Sequence, residues 1–84
     1  MPTIAWFYGI AIRMYFRDHP PPHFEEYEAN IAIATGEAIE GRLPTTAARL
    51  VKQWTLAHQD ELRSNWDRAR ANMPLERIAG LDAD

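Results

Sequence analysis

The chain has no cysteine among its 84 residues. A disulfide framework and a thiolate metal site are therefore both excluded, and this composition fits a reducing cytoplasm. No apolar run approaches the ~20 residues that a bilayer-spanning helix needs, and the first residues carry no basic region or long apolar core. A basic surplus is also missing, since the formal net charge is −3, which argues against general nucleic-acid binding. We therefore expect a cytoplasmic protein with no membrane partner.

Length sets the scale of the fold. A chain of 84 residues buries only roughly 60 to 65% of its unfolded surface, so a deep enclosed pocket is not expected. The sequence contains no linker, repeat or low-complexity segment. We predict a single domain over residues 1–84, with a frayed tail from about residue 82.

Alternation of apolar and polar residues predicts an antiparallel sheet in the first half. The pattern indicates strands over about 3–8 and 10–17, with Trp6 on an apolar face. Gly9 lies between these strands, where it fits either a hairpin turn or a bulge within one bent strand. A strand over about 24–33 follows, with Glu26 and Glu28 on an acidic outer face, and a short strand over about 38–42 pairs back onto it.

The second half changes to a helical period at Leu43-Pro44, because proline suits the first helical position. One helix up to residue 72 would be about 43 Å long, whereas a domain of this size has a radius of gyration near ~12 Å. A break near His58 is therefore expected, with Asp60 capping the second helix. We predict helices over about 44–58 and 60–72, the second ended by Pro74.

Together these elements predict an α+β fold, in which a small antiparallel sheet of three or four strands is covered by two C-terminal helices. The apolar face of the helices would cover the sheet and would include Trp54 and Trp66. His58 lies within the same face, where a hydrogen-bonded core histidine is the common outcome. Leu75, Ile78 and Leu81 are expected to anchor the tail to the core.

Three consecutive prolines, residues 20–22, are flanked by His19 and His23. Proline fixes φ, so this stretch is expected to form a polyproline II arm that holds the two histidines about 12 Å apart and about 120° apart in direction. Such a pair does not share a metal ion easily, although a cis prolyl bond would fold the arm. His23 and Glu25 are a closer pair, but two ligands do not make a metal site. No metal and no cofactor is predicted.

The same region carries a possible catalytic set for phosphodiester cleavage by acid, base and charge stabilisation. Tyr15 lies on the same predicted strand face as Arg13 and Arg17. The candidate catalytic residues are His19, His23, Arg13 and Arg17. The alternative is structural, since Arg13 and Arg17 would also suit cross-strand pairs with Glu26 and Glu28.

A second candidate surface lies on the outward face of the helices. Four basic residues fall within about 60° of one another if the helix axis stays straight, and Leu56 points away from the apolar face beside them. The candidate RNA or partner surface comprises Arg49, Lys52, Leu56, Arg63 and Arg70. The alternative is an ordinary solvated surface of mixed charge, because Asp60 and Asp67 interrupt the strip.

A resemblance to a known family rests on several short segments. These are Met1-Pro2-Thr3-Ile4, Phe7-Tyr8-Gly9-Ile10, Ile12-Arg13-Met14-Tyr15, Asp18-His19-Pro20-Pro21-Pro22-His23-Phe24, Leu43-Pro44, Trp54 with His58 and Leu62, Asn65-Trp66, and Pro74-Leu75 with Ile78. In this order they resemble the small bacterial family called domain of unknown function 4160, over nearly the whole chain. The family usually reads His-Phe-His at the histidine motif, whereas here Phe24 runs straight into Glu25. A site in relatives that depends on the third histidine is therefore incomplete here.

The family resemblance implies that the protein acts together with a partner protein. Many members lie beside a second small protein in pairs that resemble toxin–antitoxin modules. We expect the toxin-like half of such a two-protein module, acting on RNA, with a small protein as its partner. The alternative is a non-catalytic interaction module, which pairs with that partner or with itself as a homodimer through a sheet edge or the Leu56 face. The residues alone leave open whether the chain is an enzyme.

Overall fold

The computed structural model describes residues 2–82. Five strands precede two helices. The elements are β1 (Thr3–Phe7), β2 (Ile10–Arg13), β3 (His23–Glu26), β4 (Ala29–Ala32), β5 (Ala38–Glu40), α1 (Thr45–Ala57) and α2 (Gln59–Arg70). The expected tail lies mostly outside the described residues. None of the helices in this part of the chain has the length and apolar character needed to cross a membrane.

The five strands form one antiparallel meander in the order β1-β2-β3-β4-β5. The α+β prediction is therefore confirmed, with one strand more than expected. The first connection is a tight hairpin, which settles the two alternatives for Gly9. Tyr8 and Gly9 both have positive φ, at 50° and 77°, as a type I′ hairpin turn requires.

The additional strand arises because the predicted strand 24–33 was wrong as a single element. Tyr27 adopts a left-handed conformation with φ 53°, and the chain reverses there, so that Glu26 pairs with Ala29. The strand predicted over 10–17 is also shorter and ends at Arg13. Neither Tyr27 nor Glu28 is a glycine or proline. Because apolar and polar residues also alternate on both sides of the turn, the sequence pattern predicted one continuous strand.

Helices cover one face of the sheet. Trp54 lies at the centre of the core, and its ring centroid is 5.3 Å from that of Phe7 and 5.8 Å from that of Phe24. The other face is open. Trp6 lies there with 57% exposure, so its predicted burial was wrong: a register shift between Thr3 and Ala5 lets both Ile4 and Ala5 be buried and offsets the alternation along β1.

The prediction of an acidic outer face along this segment is wrong for Glu26, because its side chain is buried beside the hairpin turn. Burial raises the pKa of its carboxyl group, and the positive charge of Arg13 partly opposes that rise. The expected ion pairs are absent as well: within residues 2–82, no ion pair joins Arg13 or Arg17 to Glu26 or Glu28.

The helical region breaks at His58, as predicted, and the radius of gyration is 11.5 Å. The predicted cap was wrong, because α2 begins at Gln59 and Asp60 lies in its first turn. His58 is partly exposed rather than a core histidine, and its Nδ1 lies 2.6 Å from Glu61 Oε1. Asp60 and Glu61 still suit the positive N-terminal end of α2.

Helix α2 ends at Arg70, before the predicted end at 72. Asn72 adopts a left-handed conformation with φ 59°, and the Met73 N–H donates to the Arg68 carbonyl at 2.8 Å. Together with the bond from Asn72 N–H to Ala69 O, this is a Schellman motif. The helix is therefore ended by Asn72, and Pro74 follows the end.

The segment after α2 returns to the sheet along β1. Ile78 is buried, and Leu75 and Leu81 pack against the core, which confirms their predicted anchoring role. The Ile78 N–H donates to the Ile4 carbonyl at 2.7 Å. This segment therefore covers the β1 edge, whereas β5 forms the opposite edge of the sheet.

Candidate functional site

A surface cleft of about 430 Å³ lies between the proline-rich loop and the open face of the sheet. The segment that follows β2 supplies Tyr15, Arg17, Asp18 and His19, and strands β3, β4 and β5 supply His23, Glu25, Asn30 and Glu40. The cleft is lined by Tyr15, Phe16, Arg17, Asp18, His19, Pro20, Pro21, His23, Glu25, Asn30, Ile39 and Glu40. Most of these residues follow β2 directly or lie in the strands that pair beyond it.

Both histidines contact a single carboxylate. Asp18 Oδ1 lies 3.1 Å from His19 Nδ1, and its Oδ2 lies 3.0 Å from His23 Nε2. The Pro20–Pro21 peptide bond is cis, and the two imidazole centroids are 6.2 Å apart. The prediction of an extended arm with diverging histidines was therefore wrong.

His19 and His23 differ in what their rings can reach. The His19 side chain is 88% exposed. The His19 backbone N–H donates to Asp18 Oδ1 at 2.8 Å, and Nδ1 of the ring is turned toward the same oxygen, so Nε2 is the ring nitrogen that faces solvent and a substrate. This is the arrangement of an exposed general base oriented by a carboxylate.

His23 is only 10% exposed, and both of its ring nitrogens face acceptor oxygens. Nδ1 lies 2.7 Å from the Pro21 carbonyl, and Nε2 faces Asp18. Its ring also packs on Trp66 of α2, with the centroids 5.3 Å apart. His23 therefore packs the proline-rich loop against α2 and positions the Asp18 carboxylate.

The two candidate arginines are separated. Arg17 lines the cleft, and its backbone N–H donates to the Ala69 carbonyl at 3.0 Å, which ties the loop to the end of α2. Arg13 does not line the cleft and is paired with Glu25 in the register of β2 and β3. Of the four predicted catalytic residues, the cleft thus brings together His19, His23 and Arg17.

Tyr15 and Glu25 form a second polar pair in the cleft. The Tyr15 hydroxyl donates to Glu25 Oε1 at 3.1 Å. Partial loss of solvent, together with the hydrogen bond and the negative charge of Glu25, raises the pKa of Tyr15, although the charge of Arg13 opposes this. The raised pKa keeps the hydroxyl protonated, and its proton is directed at Glu25 Oε1 inside the cleft.

The sequence did not lead us to Asp18, the carboxylate that contacts both histidines of the cleft. Its position next to His19 was a usable signal, because a carboxylate beside a histidine commonly orients the ring. Asn30 and Glu40 were also missed. They come from β4 and β5, and their approach to the cleft depends on strand pairing rather than on local sequence. Among residues 2–82, no group of three or more acidic or histidine side chains is placed to hold a metal ion.

The basic residues of the candidate RNA or partner surface lie on two helices, because the helical region breaks at His58, so the straight axis on which the 60° spacing depended is not present. Lys52 Nζ lies 2.8 Å from Glu37 Oε2, and this contact lowers the pKa of Glu37. The Arg70 guanidinium lies over the Trp66 ring at 5.9 Å from the centroid. Leu56 is exposed, as predicted.

The chain was compared with protein families, curated proteins and solved structures. Neither the curated proteins nor the solved structures gave a match. One family model, described as domain of unknown function (DUF4160), matches residues 9–67. The matched stretch begins at the Gly9 turn, contains the whole proline-rich loop and the cleft residues, and ends in α2. The chain therefore belongs to the DUF4160 family.

Proposed function

We propose that the protein cleaves RNA without a metal ion, as the toxin-like member of a two-protein bacterial module in the cytoplasm. The observation that carries the catalytic part is the exposed His19 ring, held through Nδ1 by Asp18 at the rim of a cleft that also contains Arg17 and Tyr15. The two-protein part rests on what the family resemblance implies.

The chemistry uses the 2′-hydroxyl of RNA as the nucleophile. His19 Nε2 takes the proton from this hydroxyl, and the O2′ oxygen forms a bond to the adjacent phosphorus as the bond from phosphorus to O5′ breaks. Arg17 neutralises charge on the phosphoryl oxygens. Tyr15 supplies the proton to the departing O5′ oxygen. The products are a 2′,3′-cyclic phosphate and a 5′-hydroxyl end.

The roles of the histidines differ from the sequence-based hypothesis. His19 is the proposed base. His23 has no free ring nitrogen, and its proposed role is to position Asp18. Arg13 lies outside the cleft lining and is not assigned a catalytic role.

The test is a cleavage assay on a single-stranded RNA in excess chelator, with end-group analysis of the products. The wild-type protein should release cyclic phosphate ends, whereas His19→Ala should lower the rate by about 100-fold or more. An RNA with a single 2′-deoxy nucleotide should resist cleavage at that position. The matched control is His58→Ala, which removes a histidine remote from the cleft and should retain the rate.

Intact RNA with correctly folded wild-type protein would overturn the catalytic proposal. If a small partner also bound that protein with a defined stoichiometry, the non-catalytic interaction module would replace it. Cleavage that His19→Ala does not slow would overturn the role of His19 as the base.

A further inference from the structure

The strand β5 forms a sheet edge that is open within residues 2–82. It pairs with β4 on one side, through Asn30 with Glu40 and Ile31 with Ala38, and is last in the strand order. All three of its residues are exposed, and Ile39 reaches 46%. Such an edge can accept the backbone of another extended segment.

A groove of about 450 Å³ lies between this edge and α1. Its walls are largely apolar, with Ala38 on the strand, Leu43 in the following loop and Ala48 on the helix. Gly41 lies in the same wall with φ 75°, and a Cβ there would collide with the Glu28 carbonyl oxygen. The loop thus packs tightly against the β3–β4 hairpin. When a segment adds to a sheet edge, alternate side chains turn to one face, where such a groove can receive them.

The groove is surrounded mainly by positive charges, whereas the chain as a whole carries a negative net charge. Arg42, Arg49 and Lys52 line it together with Glu37, although the whole chain has a net charge of −3. Glu37 is paired with Lys52 at 2.8 Å. Among residues 2–82, neither Arg42 nor Arg49 takes part in an ion pair. The groove therefore presents two uncompensated guanidinium groups beside an apolar surface.

We infer that the β5 edge and this groove bind an extended acidic segment of a partner protein, which adds a sixth strand to the sheet and places alternate apolar side chains in the groove. Its backbone groups pair with β5, and its carboxylates meet Arg42 and Arg49. RNA would also be attracted to the arginines, but it cannot extend a β-sheet and makes no use of an apolar wall.

The location of β5 links this surface to the cleft. Ala38 lines the groove, whereas the next residues, Ile39 and Glu40, line the cleft that contains His19. A strand added at β5 therefore runs beside the cleft and narrows access to it. This regulatory consequence rests on the proposed RNA cleavage, whereas the binding of the segment does not.

The experiment selects peptides from a random display library on the immobilised full chain and measures the affinity of the selected peptides in solution. Enriched sequences should carry both apolar and acidic residues at positions i, i+2 and i+4, because only these alternate side chains face the groove and its arginines. Arg42→Glu and Arg49→Glu should each weaken binding by about tenfold, and Ala48→Trp, which fills the groove from the helix surface, should abolish it. Arg77→Glu is the matched control and should bind as the wild type does, because Arg77 is exposed in the C-terminal segment and does not line the groove. Circular dichroism melts confirm that each variant is folded.

Three results would overturn the inference. The first is the absence of any enriched acidic sequence on folded protein. The second is a wild-type dimer in light scattering that Ala48→Trp converts to a monomer, which would make the occupant a second copy of this chain. The third is a single-stranded RNA whose binding the two arginine variants reduce while no peptide binds. Inhibition of RNA cleavage by a selected peptide is scored separately, so that an inactive protein can still confirm the binding.

Discussion

Two histidines flank the same three prolines, and the protein uses them differently. His19 keeps Nε2 free in solvent, whereas both ring nitrogens of His23 are engaged by Asp18 and the Pro21 carbonyl. Since the His23 ring also packs on Trp66, it belongs to the structure of the loop. The proposed chemistry therefore depends on one exposed imidazole, and its geometry depends on the buried one.

This division predicts different outcomes for two alanine variants. His19→Ala should leave the free energy of unfolding unchanged, because an exposed side chain is lost. His23→Ala should lower it by about 1 to 3 kcal/mol, since Asp18 and the Pro21 carbonyl lose a partner. Urea unfolding monitored by circular dichroism measures both. A His23→Ala protein as stable as the wild type would contradict the structural role of His23.

Glu26 provides a prediction that depends on pH. Burial raises the pKa of its carboxyl group in the folded protein, so Glu26 stabilises the fold at pH values below its unfolded pKa, and this contribution is lost as the pH rises through the folded pKa. Glu26→Gln should therefore be more stable than the wild type at pH 7, by less than about 1 kcal/mol because Arg13 partly offsets the effect.

The difference should vanish near pH 4, where the wild-type carboxyl group is protonated as well. Thermal melts of both proteins between pH 4 and 7 test this. Glu28→Gln is the matched control for the loss of a carboxylate from the same hairpin, because Glu28 is exposed. A Glu26→Gln protein that is less stable at pH 7 would show that the charge of Glu26 is well compensated.

At the scale of elements, the side-chain amide of Asn65 joins α2 to the returning C-terminal segment. The Asn65 side chain donates to the Glu76 carbonyl at 2.8 Å and accepts from the Glu76 N–H at 2.9 Å. Asn65 is almost fully buried. Because both backbone groups of Glu76 depend on it, Asn65→Ala should lower the free energy of unfolding by about 2 to 4 kcal/mol.

A neighbouring contact to the same residue offers a contrast. Arg68 Nη2 lies 2.8 Å from Glu76 Oε1, in a pair that is partly exposed. Arg68→Ala should therefore cost no more than about 1 kcal/mol. Amide hydrogen exchange of residues 75–81 should rise in Asn65→Ala and stay near the wild-type value in Arg68→Ala. Equal effects of the two substitutions would show that the amide is not the principal contact.

Periodicity was sufficient to predict the layers of this fold. Alternation up to Ile12 and helical spacing after Pro44 follow directly from the need to bury one face of each element. Periodicity does not reveal a turn without glycine or proline, so the Tyr27 hairpin was missed. In the cleft, residue types pointed to His19 and His23, but their separation depends on backbone angles within the proline run, and Asn30 and Glu40 arrive there only through strand pairing.

The whole molecule is held together through Trp54. This residue contacts Phe7 on β1 and Phe24 on β3, its ring lies 5.3 Å from that of His58 at the helix break, and its Nε1–H donates to the Ala79 carbonyl at 2.8 Å. Sheet, helices and C-terminal segment therefore meet on one side chain. A domain of this size is stabilised by only about 4 to 13 kcal/mol, so the contacts of this one side chain account for a large share of the stability.

Trp54→Ala should cost about 3 to 5 kcal/mol and unfold a large fraction of the molecules near physiological temperature. Because the elements share this core, the helical circular dichroism and the exchange protection of β3 and β4 should be lost at the same urea concentration. Trp6→Ala is the matched control, since Trp6 lies on the open face at 57% exposure and should cost less than about 1 kcal/mol. If the sheet kept its protection after the helical signal had gone, the sheet would be stable without Trp54 and the helices would be an independent layer.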